Sequence, residues 1–147
     1  MEFQTYPNLL SEHIADTQMG IYYGARHTLA NKTDLSVADF KDETIWTIRI
    51  ADTPERRNMI KKVTDFYGIP EFRIQLTDST NEIMFHLRLG EGACIMDSFV
   101  LNELPQDVRI LPFDPQISTV HISLFWDKEN LNPCIPQFAD ILKNVVT

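Results

Sequence analysis

Short runs of β-branched and aromatic residues alternate along this chain with helical segments that begin at recognisable caps. Residues 44–50 (TIWTIRI) predict a strand, because such side chains suit a pleated, half-buried surface. Thr53 and Pro54 follow as an N-cap and a proline at the first helical position. Apolar residues then recur at helical spacing until Gly68, which stands where a glycine commonly ends a helix. A strand that runs directly into a capped helix is the pattern that limits the fold most.

The same unit recurs further along the chain. Residues 72–77 predict a second strand, and Ser79 with Glu82 three positions later forms a capping box that opens a second helix. Residues 93–97 predict a third, short buried strand, and Ser98 can cap the turn after it. Strands that alternate with helices in this way predict an α/β domain with a mainly parallel sheet.

Similar signals predict the remaining elements. Further strands are expected at residues 19–23, 108–111 and 119–126, a short capped helix at 36–39, and a last helix after 132–133. The last helix carries one broad apolar face, which is formed by Ile135, Phe138, Ile141, Leu142 and Val145.

Three predicted strands run into helix starts, and in a parallel sheet these helix N-termini gather at one edge. That edge collects backbone N–H groups and the positive ends of helix dipoles. It is also where ligands bind in open α/β sheets. The sequence therefore predicts a small-molecule crevice lined by residues 50–53, 78–80 and 97–98. A second interpretation stays open, in which these polar residues only cap helices.

Arg49 lies near the carboxyl end of a predicted strand, one step from the crevice. A guanidinium at this place can hold the carboxylate of a ligand through two parallel hydrogen bonds. The alternative is an arginine that points outward from the other face of the strand. The basic residues that follow are interpreted as the solvated face of a helix; they are Arg56, Arg57, Lys61 and Lys62.

The sequence contains no recognisable motif for covalent, metal or phosphate chemistry. It has no GxSxG, no HExxH, no P-loop and no Rossmann glycine fingerprint. Gly90-Glu91-Gly92 follows a predicted helix and precedes a strand, so we interpret it as a tight turn. The histidines His13, His27, His86 and His121 are interpreted as structural or solvated, and the last two have no acidic or cysteine partner at ligand spacing. We expect no catalytic residue, no cofactor and no metal site.

Charge and composition argue against two further classes of function. The chain has 147 residues and a formal net charge of −8, which disfavours gripping nucleic acid or an anionic membrane by a general positive field. Its apolar runs are far shorter than the ~20 residues of a membrane span, and no signal-peptide pattern is present. Cys94 and Cys134 are interpreted as small buried hydrophobes in a reducing compartment. We expect a cytoplasmic protein with no membrane partner.

Several motifs, taken in order, resemble those of LysR-type transcriptional regulators. In that family a strand leads to an HPLA segment, an LSxxDL segment, an xxGFxP turn, a stretch that ends VxxGxGI and a closing segment. The matching stretches are 21–23, 27–30, 35–40, 66–70, 79–80 with 87–93, and 123–128 with Pro133 and Phe138. Their order and spacing agree across residues 14–146. Thr28 replaces a proline, Ile69 replaces a phenylalanine or leucine, and Glu91 is less typical, which bears on ligand class more than on fold.

The resemblance implies a type 2 periplasmic-binding-protein-like α/β fold. Residues 14–117 would form a complete subdomain II, with a mixed, mainly parallel sheet in which the strand at 19–23 runs antiparallel to its neighbours. Residues 1–13 would be a remnant of subdomain I, and 118–147 its returning strand and helix. We expect the family's winged helix-turn-helix, linker helix and first half of subdomain I to be missing, so that the chain is an excised or naturally truncated effector-binding domain.

The resemblance also implies a function, the sensing of a small-molecule inducer in a cleft beside subdomain II. A carboxylate is one candidate for that inducer. The wall of the cleft is expected from Arg49, Ile50, Ala51, Asp52, Thr53, Asp78, Ser79, Thr80, Met96 and Asp97. DNA would be bound only through the missing winged helix. A homodimer is expected through residues 72–89, and apolar surface left exposed on 119–126 and the last helix gives a second reason for self-association.

Other functions stay open on the sequence alone. The chain can be a stand-alone solute-binding protein of the same fold, although the absent signal peptide and first half count against this. It can be a modulator that dimerises with a full-length regulator. An enzyme on a periplasmic-binding-like fold would need a catalytic group in the crevice, where only carboxylates and Arg49 are offered. We therefore expect a sensing and oligomerisation domain and no enzyme.

Overall fold

The computed structural model describes residues 6–49, 52–97 and 104–146. Its contacts divide the chain into two compact units. The first, which we name unit 1, comprises Met1–Thr17 and Val120–Thr147, and the second, unit 2, comprises Gln18–Thr119. The assignment of these units to subdomains I and II stays a prediction.

The described residues form strands and helices in the alternating order that the sequence predicts. The strands are β1 Leu9–Gly24, β2 Ile45–Ile48, β3 Ile74–Thr77, β4 Ala93–Asp97, β5 Val108–Pro112 and β6 Thr119–Asp127. The α-helices are α1 Pro54–Tyr67, α2 Thr80–Leu89, α3 Pro115–Ser118 and α4 Cys134–Val146, and short 3-10 helices cover Val37–Phe40 and Glu71–Arg73.

The sheet of unit 2 has the strand order β3-β2-β4-β1-β5. β2 pairs in parallel with β3 on one side and with β4 on the other, whereas β1 runs antiparallel to both β4 and β5. Parallel strands need a crossover connection, which α1 supplies between β2 and β3 and α2 supplies between β3 and β4. The predicted mixed sheet with flanking helices is confirmed, and so is the antiparallel course of the strand around Met19.

Both crossover helices begin at the caps that the sequence predicts. Thr53 Oγ1 accepts a hydrogen bond from the backbone N–H of Arg56 at 3.2 Å, and Ser79 Oγ accepts one from Glu82 at 3.1 Å. Each cap satisfies one of the N–H groups that a helix start leaves without an internal partner. Replacing such a cap by alanine typically costs ~1 kcal/mol. α1 ends at Gly68, as predicted, in the left-handed conformation.

The turn of Gly90-Glu91-Gly92 joins α2 to β4 and requires glycine. The φ angles of Gly90 and Gly92 are 78° and 63°, values that residues with a Cβ rarely adopt. A Cβ at Gly92 would also lie 2.4 Å from the carbonyl oxygen of Thr44. That same oxygen accepts the N–H of Ala93 at 2.9 Å. β4 can therefore begin beside β2 because no side chain stands at position 92, and the predicted tight turn is confirmed.

A core of unit 2 forms where α2 packs on the sheet. β4 is buried at four successive positions, as expected of a strand covered on both faces. The residues of this core, each at most 3% exposed, are Tyr22, Ile83, Leu87, Cys94, Met96 and Val108. Burial, with smaller effects of Cys94 and Asp97, raises the pKa of Tyr22 to about 12, so this phenol stays protonated at neutral pH.

The structure corrects the bounds of several predicted strands. β1 begins at Leu9, ten residues before the predicted start at 19, because its first half is largely exposed and lacks the apolar signal of a buried strand. β3 begins only at Ile74, because Glu71–Arg73 winds into a 3-10 turn. Ser98, the predicted third cap, lies outside the described residues.

In unit 1, β6 pairs with β1, and α4 leaves most of its apolar face in solvent. Phe138, Ile141 and Val145 are 51%, 58% and 74% exposed, and Ala139 is the buried residue of the helix. Aliphatic and aromatic side chains exposed in this way mark a surface that is stabilised when another apolar surface covers it.

The two cysteines lie in opposite environments. Cys94 is buried in the core of unit 2, and burial raises the pKa of its thiol well above the usual range. Cys134 is exposed, so the prediction that both cysteines are buried is wrong for this residue. It occupies the first position of α4, a helix whose apolar face is itself left open.

We expect a thiol reagent such as Ellman's reagent to modify one cysteine in the native chain at pH 8 and two after denaturation, because only thiolates react and Cys94 is held neutral and covered. A Cys134→Ser variant provides the control and should show no reaction when native and one when unfolded. Rapid modification of two thiols in the native protein would contradict the burial of Cys94.

Candidate functional site

The carboxyl ends of β2, β3 and β4 lie side by side at one edge of the sheet of unit 2. Ile48 pairs with Thr77 in the parallel ladder of β2 and β3, so the next residues, Arg49 and Asp78, emerge together. β4 lies on the other side of β2 and ends at the same edge with Asp97. We name this place the carboxyl edge.

Arg49 and Asp78 form an ion pair at the carboxyl edge, with Nε 3.0 Å from Oδ1. Their side chains are 60% and 83% exposed. An exposed pair of this kind contributes only ~0–1 kcal/mol, because water screens the charges and both side chains lose rotamer freedom. The guanidinium of Arg49 therefore stands in solvent with a weakly held partner that another anion can replace.

The helix starts at the carboxyl edge are engaged by their own caps. The hydroxyl oxygens of Thr53 and Ser79 each accept a backbone N–H from the first turn of their helix, as the alternative interpretation of these residues expects. Thr80 is the first residue of α2. The positive ends of both helix dipoles nevertheless lie at this edge and favour negative charge there.

Asp52 belongs to a cleft of about 520 Å³ between α1 and the β2–β3 side of the sheet. Its Oδ1 lies 3.1 Å from Nε of Arg57. The walls also include Asn58 and Lys61 from α1 and Leu76 from β3. The sequence did not indicate this cleft, because the polar positions of α1 are equally typical of a fully solvated helix face.

Met96 and Asp97 end β4 in different environments. Met96 is 1% exposed and lies in the core under α2, away from any exposed wall. Asp97 Oδ2 lies 3.8 Å from Nη1 of Arg56, and the two side chains are only 16% and 15% exposed. Nη2 of Arg56 donates to the carbonyl oxygen of Ile95 at 3.5 Å. The guanidinium of Arg56 thus connects α1 to the end of β4.

Arg56 is the residue at this edge that sequence reasoning missed. Its basic neighbours favour a solvated helix face, yet its side chain is largely buried. Helical spacing holds the signal, because Arg56 stands four and seven positions before the buried Ile60 and Val63 and so continues their stripe. Its Nε is buried without a hydrogen-bond partner among the described residues.

The structure thus brings Arg49 to Asp78 and Asp97 to Arg56, and it places Thr53, Ser79 and Thr80 at the helix starts beside them. Asp52 faces the cleft along α1 and Met96 lies in the core. Ile50 and Ala51 lie outside the described residues.

Two histidines have acidic partners that their sequence spacing did not reveal. His86 Nδ1 lies 2.9 Å from Oε2 of Glu91. His121 Nδ1 lies 2.5 Å from Oδ1 of Asp16, which is 105 residues away in the sequence. Spacing in the sequence indicates neither pair, because Glu91 lies in the turn that follows α2 and because the pairing of β1 with β6 brings Asp16 to His121.

His27 has the structural role that the sequence favours. Its side chain is 2% exposed, Nδ1 accepts the backbone N–H of Leu29 at 3.0 Å, and Nε2 lies 3.1 Å from Glu43. With Nδ1 as an acceptor, the ring proton resides on Nε2 and is donated to that carboxylate. His27 thereby holds the turn that follows β1.

Comparison with protein families returns the family that the motifs resemble. The model described as the LysR substrate binding domain matches residues 2–147. Comparison with curated proteins gave no match. Within the described residues, no helix has the length and apolar character needed to cross a membrane.

Solved structures of LysR-family proteins share the fold. CbnR, a LysR family transcriptional regulator, aligns with a TM-score of 0.72 and 15% identity, over 96% of this chain and 49% of that one. The BenM effector-binding domain with its effector benzoate aligns with a TM-score of 0.74 and 14% identity, over 96% of this chain and 64% of that one. The reduced OxyR regulatory domain from Pseudomonas aeruginosa aligns with a TM-score of 0.71 and 14% identity, over 98% of this chain and 70% of that one. The type 2 periplasmic-binding-protein-like fold is confirmed, and the chain spans about half the length of CbnR.

We expect Asp97→Ala to lower the free energy of unfolding by about 1–3 kcal/mol, because it leaves a mostly buried guanidinium without its carboxylate. Asp78→Ala removes the partner of a mostly exposed arginine and should cost under about 1 kcal/mol. Urea denaturation of both variants measures the difference. Equal losses would show that burial does not distinguish the two pairs.

Proposed function

The chain belongs to the LysR substrate-binding domain family, and on this basis we propose that it is the effector-sensing domain of a LysR-type transcriptional regulator. The observation that carries the proposal is the carboxyl edge of unit 2, where the exposed guanidinium of Arg49 stands beside two helix N-termini. Edges of this kind are the usual ligand sites of open α/β sheets.

The chemistry of this edge suits a small carboxylate. A guanidinium offers two parallel donors to a carboxylate, and the two helix dipoles favour an anion. Asp78 holds Arg49 only weakly, so a ligand carboxylate can take its place at little cost. Asp52, Thr53, Ser79, Thr80 and Asp97 would supply the polar contacts around it.

The BenM effector-binding domain has been solved with its effector benzoate, which makes an aromatic carboxylate of that size a reasonable first probe. In the proposed mechanism the ligand favours one arrangement of the regulator over another, by as much as its affinities for the two differ. A DNA-binding domain elsewhere in the regulator would respond to that shift. The proposal places the protein in the cytoplasm and assigns it no catalytic step.

We expect benzoate or a related small carboxylate to raise the melting temperature of the chain. At ten times its dissociation constant a ligand adds about 1.4 kcal/mol of stability, which amounts to about 3–6 °C for a chain of this size. Differential scanning fluorimetry over a panel of carboxylates up to millimolar concentration, with matched ionic strength, provides the measurement.

The matched pair of variants is Arg49→Ala and Arg88→Ala. Both substitutions remove an exposed arginine that pairs with an aspartate. Arg88 lies in the last turn of α2, and its Nε is 3.2 Å from Oδ2 of Asp107. The shift should be lost in the first variant and kept in the second. If a carboxylate raises the melting temperature of Arg49→Ala as much as that of the wild type, the guanidinium is not part of the site. Turnover of a ligand would favour an enzyme.

We also propose that the chain forms a homodimer through β3 and α2. Among the described strands β3 ends one side of the sheet, and an edge strand presents unpaired N–H and C=O groups to another chain. Phe72 and Phe85, next to β3 and on α2, are 71% and 62% exposed. Aromatic side chains in such positions commonly dominate the energy of an interface.

We expect Phe85→Glu to weaken the dimer about 30-fold or more, the effect of removing a contact worth about 2 kcal/mol. Sedimentation velocity over a concentration series measures it. Phe138→Glu, on the exposed face of α4, should leave the dimer intact. If Phe138→Glu dissociates the dimer and Phe85→Glu does not, the dimer contact lies in unit 1. A wild-type chain that stays monomeric at high concentration would contradict the dimer.

A further inference from the structure

Unit 1 contains a compact group of metal-binding side chains that the proposed function does not use. Asp16 Oδ1 lies 2.7 Å from His13 Nε2 and 2.5 Å from His121 Nδ1. The three ligand atoms all lie within 4.8 Å of one another, and all three residues are exposed. One carboxylate oxygen thus meets two imidazole nitrogens at a place open to solvent.

β1 departs from regular alternation to make this arrangement. In a regular strand, residues three apart lie on opposite faces. His13 and Asp16 are three apart and both exposed, whereas Ile14 and Thr17 are both buried. The two faces of β1 therefore exchange between positions 14 and 16, as they do at a β-bulge, a device that re-aims side chains beside functional sites. β6 supplies the third side chain from the neighbouring strand.

The contacts of Asp16 are those of a cation site that holds protons in place of the cation. Oδ1 of Asp16 accepts a hydrogen bond from a ring N–H of each histidine, from Nε2 of His13 and from Nδ1 of His121. A metal bound by all three residues would occupy the space where N–H protons now lie between Oδ1 and the two nitrogens. Each ring proton would move to the other ring nitrogen or leave to solvent.

We propose that His13, Asp16 and His121 form a binding site for a first-row transition-metal dication, Zn²⁺ in the first instance. Imidazole nitrogens select Zn²⁺, Ni²⁺ or Cu²⁺ over Mg²⁺ and Ca²⁺, which prefer oxygen ligands. Tetrahedral Zn²⁺ with bonds of about 2.0–2.1 Å keeps its ligand atoms about 3.3 Å apart, so Oδ1 and each nitrogen must separate by under about 1 Å. The exposed side of the site leaves room for water as a fourth ligand.

A metal at this site would cross-link β1 to β6. It binds the folded arrangement and not a chain in which residues 16 and 121 are apart, so it stabilises unit 1 by mass action. The site is independent of the carboxyl edge, which lies in unit 2, and its test does not depend on the effector.

The test is calorimetric titration of chelator-treated protein with Zn²⁺, followed by thermal denaturation with and without the metal. We expect one Zn²⁺ per chain and a rise in melting temperature that EDTA reverses. His121→Ala and Asp16→Asn should each weaken binding by more than the roughly 10–100-fold that loss of an outer-shell partner costs. Asp16→Asn keeps the shape of the side chain and so separates loss of a ligand from loss of fold.

The control is His86→Ala, which removes a partly exposed histidine that pairs with the carboxylate of Glu91 and belongs to no three-residue metal-binding group among the described residues. It should bind Zn²⁺ as the wild type does. A Co²⁺ spectrum without a thiolate-to-metal charge-transfer band should exclude Cys134 as a ligand. The proposal is wrong if the wild type takes up no Zn²⁺, if His121→Ala and Asp16→Asn bind it unchanged, or if His86→Ala abolishes binding.

Discussion

The parallel pairing of β2 with β3 and with β4 is the constraint on which the rest of unit 2 depends. Parallel strands cannot be joined by tight turns, so the chain must return through α1 and α2. The returns place both helix N-termini and all three strand ends at the carboxyl edge. Gly92 belongs to the same constraint, since a side chain there would push β4 away from the start of β2. The parallel connections thus determine where the carboxyl edge lies, and the side chains determine only its chemistry.

Charge at the carboxyl edge is balanced at short range. Arg49, Arg56 and Arg57 each pair with an aspartate. The chain as a whole carries a formal charge of −8, so an anionic ligand gains nothing from long-range attraction. Binding would have to come from an exchange of partners at contact distance. The weakest of the three pairs by burial is Arg49 with Asp78, which makes it the most suitable for such an exchange.

The sequence was most informative where the signal is local. Thr53 and Ser79 cap helices through their own first turns, and Gly90 and Gly92 adopt the turn that their neighbours require, so spacing alone was sufficient. The sequence was least informative where contacts join distant residues. Arg56 was not predicted because its partner lies on β4, and the pairing of His121 with Asp16 depends on two strands more than a hundred residues apart. The ligand wall was predicted from the helix starts at one sheet edge and again by resemblance, and its binding role stays a prediction.

The exchange of faces in β1 has a consequence for reading related sequences. In a regular strand His13 and Asp16, which are three positions apart, would lie on opposite faces, because the period of a strand is two. A related chain can therefore carry all three residues and still hold them apart, if buried and exposed positions alternate strictly through this stretch. An alignment that tracks only residue identity would count the cluster as present in both chains. The burial pattern is the better guide, since here Ile14 and Thr17, also three positions apart, are both buried.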